Sequence, residues 1–155
     1  MITKQELLSL YLNLNKLGNL KGVKFSYGVS KNLALLSPEI ESLNKVQEMS
    51  EEFKKFEEKR VELIKDYSKK DESGKDIIEN NSYVVLDQKK WDKVFDKLKE
   101  DNKEVVKKRE KQIEEYLELL KTESDIKLYK IKLADIPEDI TTIQMNSIIS
   151  IIIEE

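Results

Sequence analysis

The 155-residue chain has no cysteine and no histidine. Without cysteine there is no disulfide, no thiolate nucleophile, and no sulfur-ligated zinc or iron–sulfur centre. Without histidine the usual imidazole base and the commonest metal ligand are missing. Two prolines and four glycines are all that punctuate the chain, so long uninterrupted helices are easy to build. No apolar run approaches the roughly 20 residues of a membrane span. The densest, residues 148–153, is broken by Ser150. The N-terminal stretch is interrupted by Glu6 and regular polar positions, and reads as an amphipathic helix rather than a signal peptide. No membrane association is expected, and the expected location is a cytoplasm.

What the chain does have is charge. Charged residues make up 38% and hydrophobic residues 39%. Burying an unpaired charge is costly, so most of these side chains must lie on solvated helix faces. The 28 basic and 31 acidic groups nearly cancel, for a formal net charge of −3. That balance gives no field to draw in nucleic acid or an anionic membrane, and neither is an expected partner. The basic run Lys107-Lys108-Arg109 is flanked by acids and reads as ordinary helix surface.

Thr3 followed by Glu6 forms a capping-box pattern ahead of an apolar stripe of Leu7, Leu10, Tyr11, Leu14 and Leu17, with Gly18-Asn19 as the stop. Val23, Phe25, Tyr27 and Val29 then alternate with polar or small residues, which predicts a strand. Helix restarts near Ser37-Pro38 and runs to about residue 70, with Ile40, Leu43, Val46, Phe53, Phe56, Ile64 and Tyr67 at helical spacing. Residues 83–86 read as a short strand or a folded loop, and Asp87 as the next cap.

The clearest pattern follows. Trp91, Leu98, Val105, Gln112 and Leu119 are spaced by seven, and Phe95, Asn102, Arg109 and Tyr116 form a second series offset by four, with Ile113 and Leu120 broadening the stripe. This is a coiled-coil-like seam with three polar interruptions, Asn102, Arg109 and Gln112. Beyond Ser124, residues 126–133 predict a strand whose inward phase switches between Leu128 and Tyr129, returning beside residues 23–29. After Pro137 a final helix is expected to bury Ile140, Ile143, Ile148 and Ile152, with a strand at 147–153 as the alternative.

The fold class expected from these patterns is α+β and predominantly helical. A long antiparallel helical hairpin (38–121) projects from a small base of two or three short strands and the terminal helices (1–36 and 124–155), all as one domain.

Chemistry is harder to find. Residues 71–76 lack the ligand spacing of a calcium loop, and Gly74-Lys75 lacks the glycine run of a phosphate loop. Acidic pairs such as Glu57-Glu58 sit in solvated helical stretches, where nothing separates their pKa values for acid–base work. Glu51–Lys55 and Glu104–Lys108 read as helix-stabilising pairs at spacing four. No catalytic, cofactor or metal site is expected, and the chain is read as non-enzymatic. Trp91, Phe95 and Tyr116 read first as seam residues facing Phe53, Phe56 and Tyr67; the alternative is a protein interface comprising Tyr83, Trp91, Phe95 and Arg109, with Trp91 near the hairpin tip as its leading exposed contact.

The segment Lys24-Phe25-Ser26-Tyr27-Gly28-Val29-Ser30-Lys31-Asn32, followed by Leu33, Leu36 and Pro38-Glu39-Ile40-Glu41, resembles a family of small phage and prophage proteins. Echoes recur at Phe56-Glu57-Glu58-Lys59-Arg60, at Tyr67 with residues 69–75, and at Ile131-Lys132-Leu133-Ala134-Asp135-Ile136-Pro137. The second hairpin arm is longer here. The resemblance implies a phage origin and no catalytic residue. It points to a factor that binds a host or phage protein, modulating or inhibiting a host component such as an anti-phage defence protein. The alternative is a virion assembly, scaffold or structural component. A homodimer or higher homo-oligomer is expected, because the terminal helices carry more apolar surface than two short strands can cover.

Overall fold

The computed structural model describes residues 2–154. In chain order the elements are β1 (Ile2–Thr3), α1 (Lys4–Asn15), α2 (Val23–Gln47), α3 (Glu51–Tyr67), β2 (Ile78–Glu79), β3 (Ser82–Tyr83), α4 (Gln88–Asp101), α5 (Lys103–Lys121), β4 (Glu123–Ser124), β5 (Ile131–Lys132), α6 (Thr142–Ile148) and β6 (Ile152–Ile153). The class is α+β and predominantly helical, with small open sheets of two strands. The chain divides into two compact units: residues 1–47 with 114–155, and residues 48–113.

In the first unit the Thr3 hydroxyl accepts the Glu6 amide while the Glu6 carboxylate accepts the Thr3 amide at 2.7 Å, closing the expected capping box. Leu7, Leu10 and Leu14 of α1 face Phe25, Val29, Leu36, Ile40 and Leu43 of α2 in one core, joined by Leu120, Ile131, Ile148 and Ile151. Full burial of each such aliphatic side chain contributes about 1.5–3 kcal/mol.

Residues 23–29 are helical, not a strand. Phe25 and Val29 stand four apart and extend through Asn32, Leu36, Ile40 and Leu43 as one stripe, while Val23 and Tyr27 are exposed. The alternation is a coincidence of helical spacing over a short window. Nor does Pro38 restart the helix: α2 runs through it. The missing N–H lies on an exposed turn, and the Ser37 hydroxyl donates to the Leu33 carbonyl at 3.0 Å one turn earlier.

Gly28 is the close-approach point. A Cβ there would stand 2.6 Å from Cγ1 of Ile131, so the return segment packs directly on the α2 backbone. That segment does lie beside residues 23–32, but against a helix rather than in a ladder. Buried Asn32 donates its amide to the Tyr129 carbonyl (2.9 Å) and accepts the Tyr129 amide (2.8 Å), doing with one side chain what a neighbouring strand would do. The tail is helical to Ile148, then turns tightly through 149–151 into β6, which pairs parallel with β5. Ile148 and Ile151 are fully buried, whereas Ile143, expected in the core, is 82% exposed.

In the second unit α3 and α4 run antiparallel, since Phe56 meets Phe95 and Tyr67 meets Trp91. Further along, the Arg109 guanidinium lies 5.6 Å from the Phe53 ring, and the Gln112 side chain donates to the Glu48 carbonyl at 2.9 Å. All positions of the two seven-residue series in this unit, Trp91 through Gln112, are buried or half-buried. The arms are not continuous, however. Residues 48–50 separate α2 from α3, with Ser50 capping α3. Asn102 separates α4 from α5, and its side chain donates to the Leu98 carbonyl at 2.8 Å. This polar interruption marks a helix break. Ile113, expected in the stripe, is 43% exposed.

Candidate protein-interaction surfaces

The connection between α3 and α4 folds into a small knob. Lys69 donates to the Val84 carbonyl, Ile77 to Lys69 and Val84 to Ile77, so three passes of chain interlock. β2 and β3 join through Asn80-Asn81, both at positive φ (49° and 61°), the two-residue hairpin turn that suits asparagine. The loop at 71–75 is closed by the Asp71 carboxylate, which accepts the Ser73 amide (2.8 Å), the Ser73 hydroxyl (2.7 Å) and the Lys75 amide (2.9 Å). These bonds hold the Asp71 pKa below its ordinary value, with the Ser73 hydroxyl as the largest cause. Asp76 is lowered too, by the Lys70 ammonium first and the buried Ser68 hydroxyl second. Both carboxylates are occupied holding the turn. Among the described residues, no cluster of acidic side chains could hold a metal ion.

The four interface candidates fall on this unit. Trp91 is 7% exposed, stacked on Phe95 at 5.5 Å and 7°, with Tyr67 at 6.0 Å on its other contact. It is therefore core and not an exposed contact: α3 supplies the neighbours that a position near the tip was expected to lack. Phe95 is half-buried between Trp91 and Phe56, and the Lys99 ammonium lies 4.9 Å from its ring. Arg109 is half-buried and donates to the Gln112 side chain at 2.8 Å. Tyr83 is half-buried in β3. The exposed apolar positions at the knob are instead Ile78 (56%) and Leu86 (71%). Sequence reading passed over both. The Asn80-Asn81 pair, with Ile77-Ile78 and Tyr83-Val84 one residue away on either side, is the hairpin signal the sequence carries.

The first unit holds a feature that the sequence patterns did not single out. An open groove of about 840 Å³ is walled by one face of α1 (Glu6, Ser9, Leu10, Asn13), by residues 124–130 and by residues 146–150. Asn13 donates to the Ser147 carbonyl (3.4 Å) and Lys130 to the Ser150 carbonyl (2.7 Å), tying the walls together. Ser124, Ile126 and Leu128 are half-buried, while Asp125 and Lys127 are exposed. Among the described residues, the β1–β4 ladder reaches Ile2 and Ser124, and residues 125–130 belong to no strand before β5. Among the described residues, Asp125, Lys127 and Leu128 make no backbone–backbone hydrogen bond. The expected phase switch at Leu128–Tyr129 is present, because Tyr129 and Ile131 turn towards α2.

No family model, curated protein or solved structure matches this chain. No helix among the described residues is long and apolar enough to cross a membrane.

Proposed function

We propose that this chain is a non-enzymatic protein-binding factor that grips an extended segment of a partner polypeptide in the groove beside residues 124–130. The observation that carries this reading is backbone outside any ladder along one wall of an open groove. An extended peptide laid there satisfies amides of its own and those of alternate residues of the 125–128 stretch, while its side chains on alternate positions meet Ile126 and Leu128. The partner in this reading is a host protein, with anti-phage defence components foremost, which binding would modulate or block; the resemblance to phage proteins supports that choice and also fits the second reading below. In this reading the second unit adds a contact of its own at the knob between α3 and α4, where Ile78 of β2 and Leu86, just before α4, are exposed.

The second reading, a homo-oligomeric virion assembly or scaffold component, is favoured by the exposed apolar side chains of Leu12 (53%) on α1, Ile143 (82%) on α6 and Ile149 (58%) in the turn after α6. Site-specific photocrosslinking separates the two. A photoreactive residue replaces exposed Ser9 or Lys127, and crosslinks are collected in bacterial cells with and without phage infection. The proposal expects one host polypeptide crosslinked through the same stretch at both positions. Crosslinks confined to second copies of the chain or to particle proteins transfer it to assembly, and crosslinks at neither position refute the groove.

A further inference from the structure

The same strap of chain that walls the groove has a second face, set against α2. Tyr27 and Tyr129 meet edge to face, with centroids 5.7 Å apart and planes at 89°. Around them opens a pocket of about 300 Å³ with Val23, Ile131 and Ile153 in its lining. Three of these apolar groups are solvent-facing: Val23 is 90% exposed, Tyr27 58% and Ile153 37%. An exposed aromatic beside aliphatic groups is the kind of anchor point that carries much of the energy at protein interfaces.

The rim is cationic. Lys24, Lys130 and Lys132 line the pocket, and the Lys31 ammonium sits 4.5 Å from the Tyr129 centroid and 5.7 Å from that of Tyr27. The single carboxylate in the lining, Asp135, pairs with Lys24 at 3.3 Å. Lys130 donates to a neutral carbonyl, that of Ser150, and no ion pair involves Lys31 or Lys132 among the described residues. Among the described residues, three lysines are thus left without a carboxylate, concentrated on one face of a chain whose net charge is −3. Such local excess attracts anionic groups even where the whole molecule does not. A long polyanion would meet the net negative charge of the remainder, and the lining offers aliphatic side chains rather than a track of phosphate donors.

We infer that this face docks an acidic segment of a protein partner. One apolar or aromatic side chain enters the pocket against Val23, Tyr27 and Tyr129, and flanking carboxylates meet Lys31 and Lys132. The surface shares Lys130 with the groove proposed above but faces α2 instead of α1, and it stands or falls without that groove.

The test uses the full chain and three labelled probes: a peptide of glutamates around a single phenylalanine, the same peptide with lysines for glutamates, and single-stranded oligothymidylate. Fluorescence anisotropy is read at low and at physiological salt, with amide chemical-shift mapping of the bound state. The expected result is binding of the acidic peptide that weakens with salt, with shifts centred on residues 23–31 and 129–132. Tyr27→Ala with Lys132→Glu, both exposed positions, should weaken it by about tenfold or more. A control, Ser9→Arg in the groove, should leave it unchanged. No binding of the acidic peptide, equal binding of the lysine peptide, equal or tighter binding of the oligonucleotide, or shifts elsewhere would each overturn the inference. Circular dichroism of the variants guards against loss of fold being read as loss of binding.

Discussion

Replacing Asn32 with alanine tests the device that holds the strap to α2. Asn32 is fully buried and serves both the amide and the carbonyl of Tyr129, at 2.8 and 2.9 Å. Alanine removes both partners at once and offers no substitute. A buried backbone group left without a partner costs about 1–3 kcal/mol, so the pair is worth about 2–6 kcal/mol. Taking about 4 kcal/mol as the centre, a domain of this size should lose about 8–16 °C in Tm.

The assay is urea denaturation followed by far-ultraviolet circular dichroism, with hydrogen exchange of the Tyr129 amide as the local readout. Asn32→Asp separates hydrogen bonding from packing. A carboxylate still accepts the Tyr129 amide but faces the Tyr129 carbonyl with a second acceptor, so only the protonated acid restores both bonds. Burial and that hydrogen bond both raise the acid's folded-state pKa above its unfolded value. The stabilisation is therefore present below the unfolded pKa and lost as pH rises through the folded one. Should Asn32→Ala cost less than about 1 kcal/mol with Tyr129 exchange unchanged, the strap is held by other means and the reasoning fails.

Gly28→Ala should destabilise by about 1–2 kcal/mol despite the better helix propensity of alanine, because its Cβ meets Ile131 at 2.6 Å. Ile131→Val in the same chain should recover part of the loss in thermal melts, and a more stable single variant would contradict the close approach. At the knob, Asn81→Gly should be neutral or stabilising, while Asn81→Val should cost about 1–2 kcal/mol for its left-handed backbone, measured by denaturation. Trp91→Ala should cost about 3–5 kcal/mol, whereas Leu86→Ser should leave the denaturation midpoint unchanged, since one is buried and the other exposed. Asp71 and Asp76 have lowered folded pKa values, so their contribution is full above the ordinary carboxylate range and fades as pH falls through the lowered values. Asp71→Asn with Asp76→Asn should flatten the acid limb of the stability profile, and an unchanged limb would place the acid sensitivity elsewhere.

Much of the local structure is legible along the chain because it is fixed by neighbours in sequence. The Thr3–Glu6 capping box and the Asp87 cap are contacts within one turn, and the Leu7-to-Leu14 stripe and the inward set of Trp91, Phe95, Leu98 and Val105 follow helical spacing. The errors cluster where local pattern and tertiary demand diverge. Four alternating residues at 23–29 match a strand as well as they match two turns of helix, and only the longer stripe through Leu43 separates them. For Trp91 the heptad spacing and a position near the tip point opposite ways, to the seam and to the surface, and Tyr67, far away in sequence, decides for the seam by covering it. The candidate groove was illegible for a related reason. Its walls come from residues 2–13, 124–130 and 146–150, which no periodicity connects.

The sequence by itself determined the helical class, the caps, the seam positions and the absence of thiol and imidazole chemistry, since composition and short-range spacing suffice for these. Tertiary structure alone decided which apolar residues remain in water and where backbone is left unpaired. It also decided where lysines from α2 and from residues 130–132 converge around two tyrosines. Those properties depend on which distant segments pack together: one buried amide, Asn32, and one missing Cβ, at Gly28, bring the strap onto α2.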